Sequence, residues 1–228
     1  MTVEPAPIED IESLVERNPG QMVFDEYCTV WDEIARKRPC RLLVFGCGND
    51  SGLWLRANHG GYTMFVEHNR EWSDQAAKNL AELPYSCDFD IKVVNYSTML
   101  HHWRRLLERP RRLLLPSIEN HWDVVLVDGR LGIGWRAQGR IRSIYTASRV
   151  ACSNATIMVA RHGPIGRAGL HGALSRQPTR ALHKLSVWRR DPHNATHRNF
   201  LKLLERRSLS VLSRSSSQAF AAPTRQHL

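Results

Sequence analysis

No stretch of the chain approaches the ~18 consecutive apolar residues that a membrane span needs, so a transmembrane protein is excluded as written. The opening run, MTVEPAPIEDIESLVER, is acidic and has no apolar centre, so this run is not expected to be a secretory signal. Cysteine is scarce. Cys28, Cys40, Cys47, Cys87 and Cys152 are odd in number and include no C-x-x-C pair. That argues against a disulfide framework or a zinc ribbon and fits a reducing compartment. Acids are nearly missing from the last third: from Arg161 onward there are 13 Lys and Arg against Asp191 and Glu205. The net charge of +10 therefore sits in that third, and residues 1–160 are close to neutral. A basic block of this kind is expected to be a solvated tail. It holds only Trp188, Phe200 and Phe220 as aromatics, too few for a stacking platform, so nucleic acid is not the expected partner.

What is present is 228 residues, enough for one domain with extensions, in which helical and strand patterns alternate. Ile8, Ile11, Leu14 and Val15, and then Phe24, Tyr27, Cys28, Trp31 and Ile34, recur at steps of three and four and predict two helices. Pro39 ends the second. Short apolar runs predict strands at 41–46 (RLLVFG), 62–67 (YTMFVE), 90–95 (DIKVVN), 122–128 (WDVVLVD) and 156–160 (TIMVA). Helical stretches fall between them near 51–58, 70–83, 98–108 and 140–151. Strand–helix alternation implies βαβ units, a parallel sheet and helices on both faces. Beyond Arg161 the periodicity decays, and residues 208–228 are Ser-rich and expected to be disordered.

The first candidate site is the turn Gly46-Cys47-Gly48-Asn49-Asp50-Ser51-Gly52 after the first strand. Glycines there allow a tight turn and close approach of backbone to a ligand, although Ser51 stands where G-x-G-x-x-G has its third glycine. The second strand ends at Glu67, 21 residues after Gly46. An acid about 20 residues on is where a nucleotide-binding sheet holds ribose hydroxyls. On this layout the ligand could be a nicotinamide cofactor or S-adenosylmethionine. Asp128 ends the fourth strand, where it can orient a hydroxyl, take its proton, or simply cap a loop. His162, after the fifth strand, is a second candidate base. Histidine pairs give little support for metal: His101 and His102 are adjacent and diverge on a helix, and His193 and His197 lie beside Pro192 and Asn194. No metal is expected.

Two blocks carry a family resemblance. In CRLLVFGCGNDSGLWLRANHGGYTMFVEHNREW, residues 40–72, the positions Phe45, Gly46, Gly48, Asp50, Ser51, Trp54, Asn58, Gly60, Gly61, Glu67 and Trp72 match. In DVVLVDGRLGIGWRAQGRIRSIYTASRVA, residues 123–151, Asp128, Gly129, Gly139, Arg140, Ile144, Tyr145, Thr146 and Ala147 match. A weaker match follows the third strand at Val94, Tyr96 and Thr98. Over about residues 39–160 the chain resembles the glucuronoxylan 4-O-methyltransferase and irregular-xylem family.

The resemblance implies a Rossmann-like domain, in line with the doubly wound, mostly parallel α/β sheet that the alternation predicts; composition adds the expectation of a basic, poorly ordered C-terminal tail. The expected division is a helical extension (1–38), the Rossmann-like domain (39–160), a divergent part (161–207) and the tail (208–228). It implies an S-adenosylmethionine-dependent O-methyltransferase acting on a uronic-acid or polysaccharide acceptor, such as the glucuronic acid side chains of xylan. Gly46, Gly48, Asp50 and Ser51 would shape the donor pocket, with Glu67 on the ribose and Tyr96 beside the donor. Asp128 would face the reacting centre. Arg140 would pair with a substrate carboxylate or serve in a structural ion pair. Where the family has a His-Asp pair after the fifth strand, this chain has Ala160-Arg161-His162-Gly163-Pro164. That departure keeps open a second reading, a non-catalytic member that supports polysaccharide assembly by binding. As written the chain reads as cytoplasmic; the family's setting would be the Golgi.

Overall fold

The structure, a computed structural model, describes residues 5–19, 21–84, 86–95, 115, 118, 121–128, 141–160, 180–182 and 185–189. The helix expected at 98–108 and the tail at 208–228 lie outside the described residues. In chain order the described elements are α1 (Ile8–Arg17), α2 (Phe24–Lys37), β1 (Arg41–Phe45), α3 (Ser51–Ala57), β2 (Tyr62–Glu67), α4 (Arg70–Ala81) and β3 (Asp88–Val93). They continue with β4 (Trp122–Val127), α5 (Ile141–Val150), β5 (Ala151–Ala160), β6 (Arg180–Leu182) and β7 (Leu185–Arg189).

The strands form one sheet in the order β3-β2-β1-β4-β5-β7-β6. β1 to β5 run parallel, and β7 and β6 add on antiparallel. The strand order reverses at β1, which lies between β2 and β4, and such a reversal opens a crevice beyond the carboxyl ends of the strands. β1 is buried on both faces, which is why it reads as an unbroken apolar run. Leu42 and Val44, with Val124 and Leu126 of β4, face a core that holds Ile11, Trp31 and Trp54 from α1, α2 and α3. Leu43 and Phe45, with Val125 and Val127, face a second core that includes Tyr145 and Ala147 of α5. Helices thus cover both faces.

The Asn-x-Gly-Gly segment closes the end of the sheet remote from the crevice. The Asn58 side chain accepts from Cys40 N and donates to Cys40 O, both at 3.1 Å, and donates to Thr63 Oγ1 at 3.0 Å. One buried amide therefore joins the starts of β1 and β2. At Gly61 a Cβ would lie 2.5 Å from the Cys40 carbonyl oxygen, so no larger residue fits there. At this same end Lys37 Nζ donates to the carbonyls of Asp123 (3.3 Å) and Asn154 (2.6 Å), and burial lowers its pKa.

Three strand expectations are corrected. β3 is 88–93 rather than 90–95, because Phe89 and Ile91 alternate inward and set the register, pairing Glu67 with Val93. β5 begins at Ala151 rather than Thr156, with a register shift against β4 that hides the earlier half from a simple apolar run. The decay of pattern after Arg161 conceals a hairpin. Leu185, Ser186, Val187 and Trp188 are all buried in β7, on both faces, so the segment has no alternation to read.

Candidate active site

The crevice at the reversal point is a cleft of about 400 Å³ bounded by the β1–α3 turn, the β2–α4 turn, Asp128 and the α1–α2 turn. Gly46 leaves β1 at φ 107°, a conformation open to glycine, while its N–H still donates to Val66 O at 2.8 Å. The turn is braced by a reciprocal pair: Gly48 N–H donates to Ser51 Oγ at 2.9 Å, and Ser51 N–H donates to Gly48 O at 3.1 Å. Ser51 is buried behind the turn and does not line the cleft. Its hydroxyl shapes the loop, in the place where other sheets use a third glycine.

Glu67 is 6% exposed, with its carboxylate turned toward the β1–α3 turn. Oε2 accepts from Cys47 N at 3.1 Å, and Oε1 accepts from His68 N at 2.8 Å and Asn69 N at 2.9 Å. His68 Nδ1 lies 2.7 Å from Oε1. Backbone donors of this kind hold a carboxylate in one place, which a loosely solvated strand-end acid lacks.

On the cleft floor Asp50 and Asp128 face each other. Burial, then the charge of Asp128 and a hydrogen bond with it, raise the Asp50 pKa well above the ordinary carboxylate range. Asp128 is placed by its N–H, which donates to Phe45 O at 3.0 Å and fixes the end of β4 beside β1. Tyr27 forms the wall beneath, stacked on Trp54 with ring centroids 5.8 Å apart. Its phenol is kept neutral by burial and by the nearby carboxylates. Burial together with Glu67 and Asp50 pushes the Cys47 thiol up to about 12.

Trp72 lines the rim and is 50% exposed, which is unusual for so large an apolar group. Its backbone is set by Asn69, whose Oδ1 caps α4 by accepting from Glu71 N (2.8 Å) and Trp72 N (3.3 Å). Across the cleft, Asn49 Nδ2 donates to Asn18 Oδ1 at 2.9 Å, which ties the α1–α2 turn over the glycine turn. Among the described lining residues there are three carboxylates and no Lys or Arg. Such a cleft favours a ligand with cationic centres.

Of the residues singled out from sequence, Gly46, Gly48, Asp50, Glu67 and Asp128 converge on the cleft. Tyr96, Arg140 and His162 lie outside the described residues. Asn18, Gln21, Tyr27, His68 and Asn69 also line the cleft, although no sequence signal marks them as site residues, and Trp72 is marked only by its place in the matched block. Tyr27 reads as core because it occupies the apolar face of α2, and it serves both purposes. Nothing local marks Asn18 and Gln21, which reach the site only through the packing of α1.

Residues 25–117 match the model of the IRX15/IRX15L/GXM family. Glucuronoxylan 4-O-methyltransferase 2 of Arabidopsis thaliana is 34% identical over 145 residues, covering 58% of this chain and 50% of that protein. Protein IRX15-LIKE of the same plant is 33% identical over 156 residues, covering 58% and 47%. Arabinogalactan O-methyltransferase 2, also from Arabidopsis thaliana, is 28% identical over 155 residues, covering 58% and 51%. The chain spans about half the length of the curated relatives it matches. Among solved structures, a methyltransferase-like protein from Silicibacter pomeroyi superposes with a TM-score of 0.53 at 16% identity, covering 81% of this chain and 94% of that one. That likeness shows the fold.

Proposed function

We propose that this chain, whose residues 25–117 belong to the IRX15/IRX15L/GXM family, is an S-adenosylmethionine-dependent O-methyltransferase with a uronic-acid or polysaccharide acceptor, such as the glucuronic acid side chains of xylan. The observation that carries this reading is the convergence, at the reversal point of the sheet, of the glycine turn, Glu67 and the Asp50–Asp128 pair. The relatives named as methyltransferases of glucuronoxylan and arabinogalactan supply the acceptor class.

The residues present fit the donor. Glu67 Oε2 has one close donor and can take a ribose hydroxyl. At Gly48 a Cβ would meet nothing nearer than Asp50 Oδ1 at 3.7 Å, so the fold itself does not demand glycine, and the space above the turn suits a ligand held close to the backbone. Asp50 and Asp128 offer negative charge to a cationic centre, and the Trp72 ring offers a flat wall to a nucleobase. S-adenosylmethionine supplies an already electrophilic sulfonium methyl, so the protein's task is alignment, exclusion of water and handling of one proton.

A sugar hydroxyl needs help to lose its proton as its oxygen attacks. Asp128, at the end of β4, takes that role, beside an Asp50 whose raised pKa favours its protonated form. The Tyr27 phenol closes the floor without competing as a base. Since no described lining residue is a Lys or Arg, an acceptor carboxylate finds no guanidinium or ammonium partner on these walls, and Arg140 is the residue the sequence offers for it. His162 is the second candidate base.

The test is calorimetric titration of the full chain with S-adenosylmethionine, followed by methyl transfer to glucuronoxylan and to free glucuronic acid. Saturable binding and a methylated product support the reading. A folded chain that binds no donor but retains xylan binding would instead support the non-catalytic alternative.

A further inference from the structure

We propose that Asn18, in the α1–α2 turn, is a specificity residue of the donor site, and that its side-chain amide takes the carboxylate of the donor's amino-acid end. The inference rests on the donor reading above and adds which part of the cleft receives that end. On that reading Glu67 and Trp72 take the ribose and the base, and the acidic floor of Asp50 and Asp128 draws the cationic centres. The donor's carboxylate is repelled by the same floor, and no Lys or Arg among the described lining residues can receive it. It needs neutral N–H donors set apart from the acids. His68 and Asn69 belong to the β2–α4 turn, on the nucleoside side, and Asn69 Oδ1 is turned to α4 as its cap. The α1–α2 turn brings Asn18 and Gln21 to the lining, uncharged, with Asn49 against Asn18.

The fold holds Asn18 ready for this contact. Its backbone closes α1, with its N–H on Leu14 O at 2.9 Å, and Ile11 and Leu14 bury that helix in the core. Asp10 of the same helix pairs with Arg56 of α3 at 2.8 Å. The side chain is oriented as well, since its Oδ1 accepts from Asn49 Nδ2 at 2.9 Å. A carboxamide that accepts through its oxygen keeps the two N–H groups of its nitrogen to give. A donor group positioned before the ligand arrives loses little entropy when the contact forms. A residue of the N-terminal helices thus completes a site otherwise built from the ends of strands, and it does so away from the reacting methyl.

The experiment is calorimetry of the full chain with S-adenosylhomocysteine and with its decarboxylated analogue, on wild type, Asn18→Asp and Asn18→Ala. Asn18→Asp keeps the oxygen that accepts from Asn49 and exchanges only the N–H donors for a second, charged oxygen. It should weaken S-adenosylhomocysteine by roughly a hundredfold and should not weaken the decarboxylated analogue. Asn18→Ala should cost S-adenosylhomocysteine roughly tenfold and the analogue less than about threefold. The difference between the two ligands isolates the contact with the carboxylate, because a merely structural role would lower both affinities together. Retained binding of the analogue also shows that each variant is folded. Equal losses for the two ligands, or no loss for either, would overturn the inference while leaving the donor reading intact. Failure of S-adenosylhomocysteine to bind a folded wild-type chain would overturn the donor reading and this inference together.

Discussion

Asp50, which opens α3, and Asp128, which closes β4, are 78 positions apart in sequence and meet carboxyl to carboxyl on the floor of the cleft. Like charges placed together cannot both ionise cheaply, so the pairing adds to burial in favouring the protonated form of Asp50. Asp50 is the member whose pKa is raised, first by burial and then by Asp128.

The stability consequence has a definite sign. An acid whose folded pKa lies above its unfolded value binds its proton more tightly when folded. Its contribution is fully present below the ordinary carboxylate pKa and is lost as pH rises through the raised value. Asp50→Asn removes that loss. Thermal melts of the variant at pH 8 should show a midpoint about 2–4 °C above wild type, the equivalent of about 1 kcal/mol, with the difference shrinking at pH 4. Methyl transfer should fall at the same time, as expected when a strained pair serves function rather than stability.

Asp128→Asn separates chemistry from binding. If Asp128 takes the acceptor proton, turnover should drop by roughly 10²–10⁴. Calorimetry should find a far smaller effect on donor affinity, no more than about tenfold, since Asp128 supplies only part of the negative charge of the cleft. A parallel collapse of both would assign Asp128 to the donor site instead.

Cys47 lines the cleft with a thiol pushed up to about 12, so at pH 8 very little of it is thiolate. Labelling with iodoacetamide followed by peptide mass spectrometry should find Cys47 alkylated far more slowly at pH 8 than an ordinary exposed cysteine. The rate should climb steeply toward pH 11. Glu67→Gln, which removes the neighbouring negative charge, should speed the reaction.

Trp72 is half exposed, so its loss should not unfold the chain. Trp72→Ala is expected to leave the melting midpoint within about 2 °C and to weaken S-adenosylhomocysteine by roughly tenfold, in line with a base-stacking contact. Affinity unchanged by the substitution would remove Trp72 from the donor wall.

At the opposite end of the sheet, Asn58→Ala leaves the backbone N–H and C=O of Cys40 buried without the amide that pairs both. Urea denaturation should report a loss of about 2–4 kcal/mol. Gly61→Ala should be at least as damaging, since its Cβ would strike the Cys40 backbone. Donor affinity of the folded fraction should be unaffected in both, because the clamp is remote from the cleft.

Much of this architecture is legible in the residues themselves. Backbone hydrogen bonding and side-chain period act locally, so an unbroken apolar run such as that of β1 announces a strand buried on both faces, and α2 announces its buried stripe through Tyr27, Trp31 and Ile34. The glycine turn, and an acid 21 residues beyond Gly46, likewise declare a nucleotide-type site, since each lies at the end of its strand. Tertiary structure alone decided what those residues face. The pairing of Asp50 with Asp128, the ring of His68 over one oxygen of Glu67, and the reach of Asn18 across to Asn49 all depend on how separate elements or turns meet in space. The β7 strand shows the same limit from the other side. Buried on both faces and set in a basic, polar segment, Leu185–Trp188 carries no period of its own, and it is the edge of β5 that brings it into the sheet. Sequence determined the elements because their causes are local; the sheet determined the site because charge, burial and hydrogen bonding act between neighbours that the chain brings together only on folding.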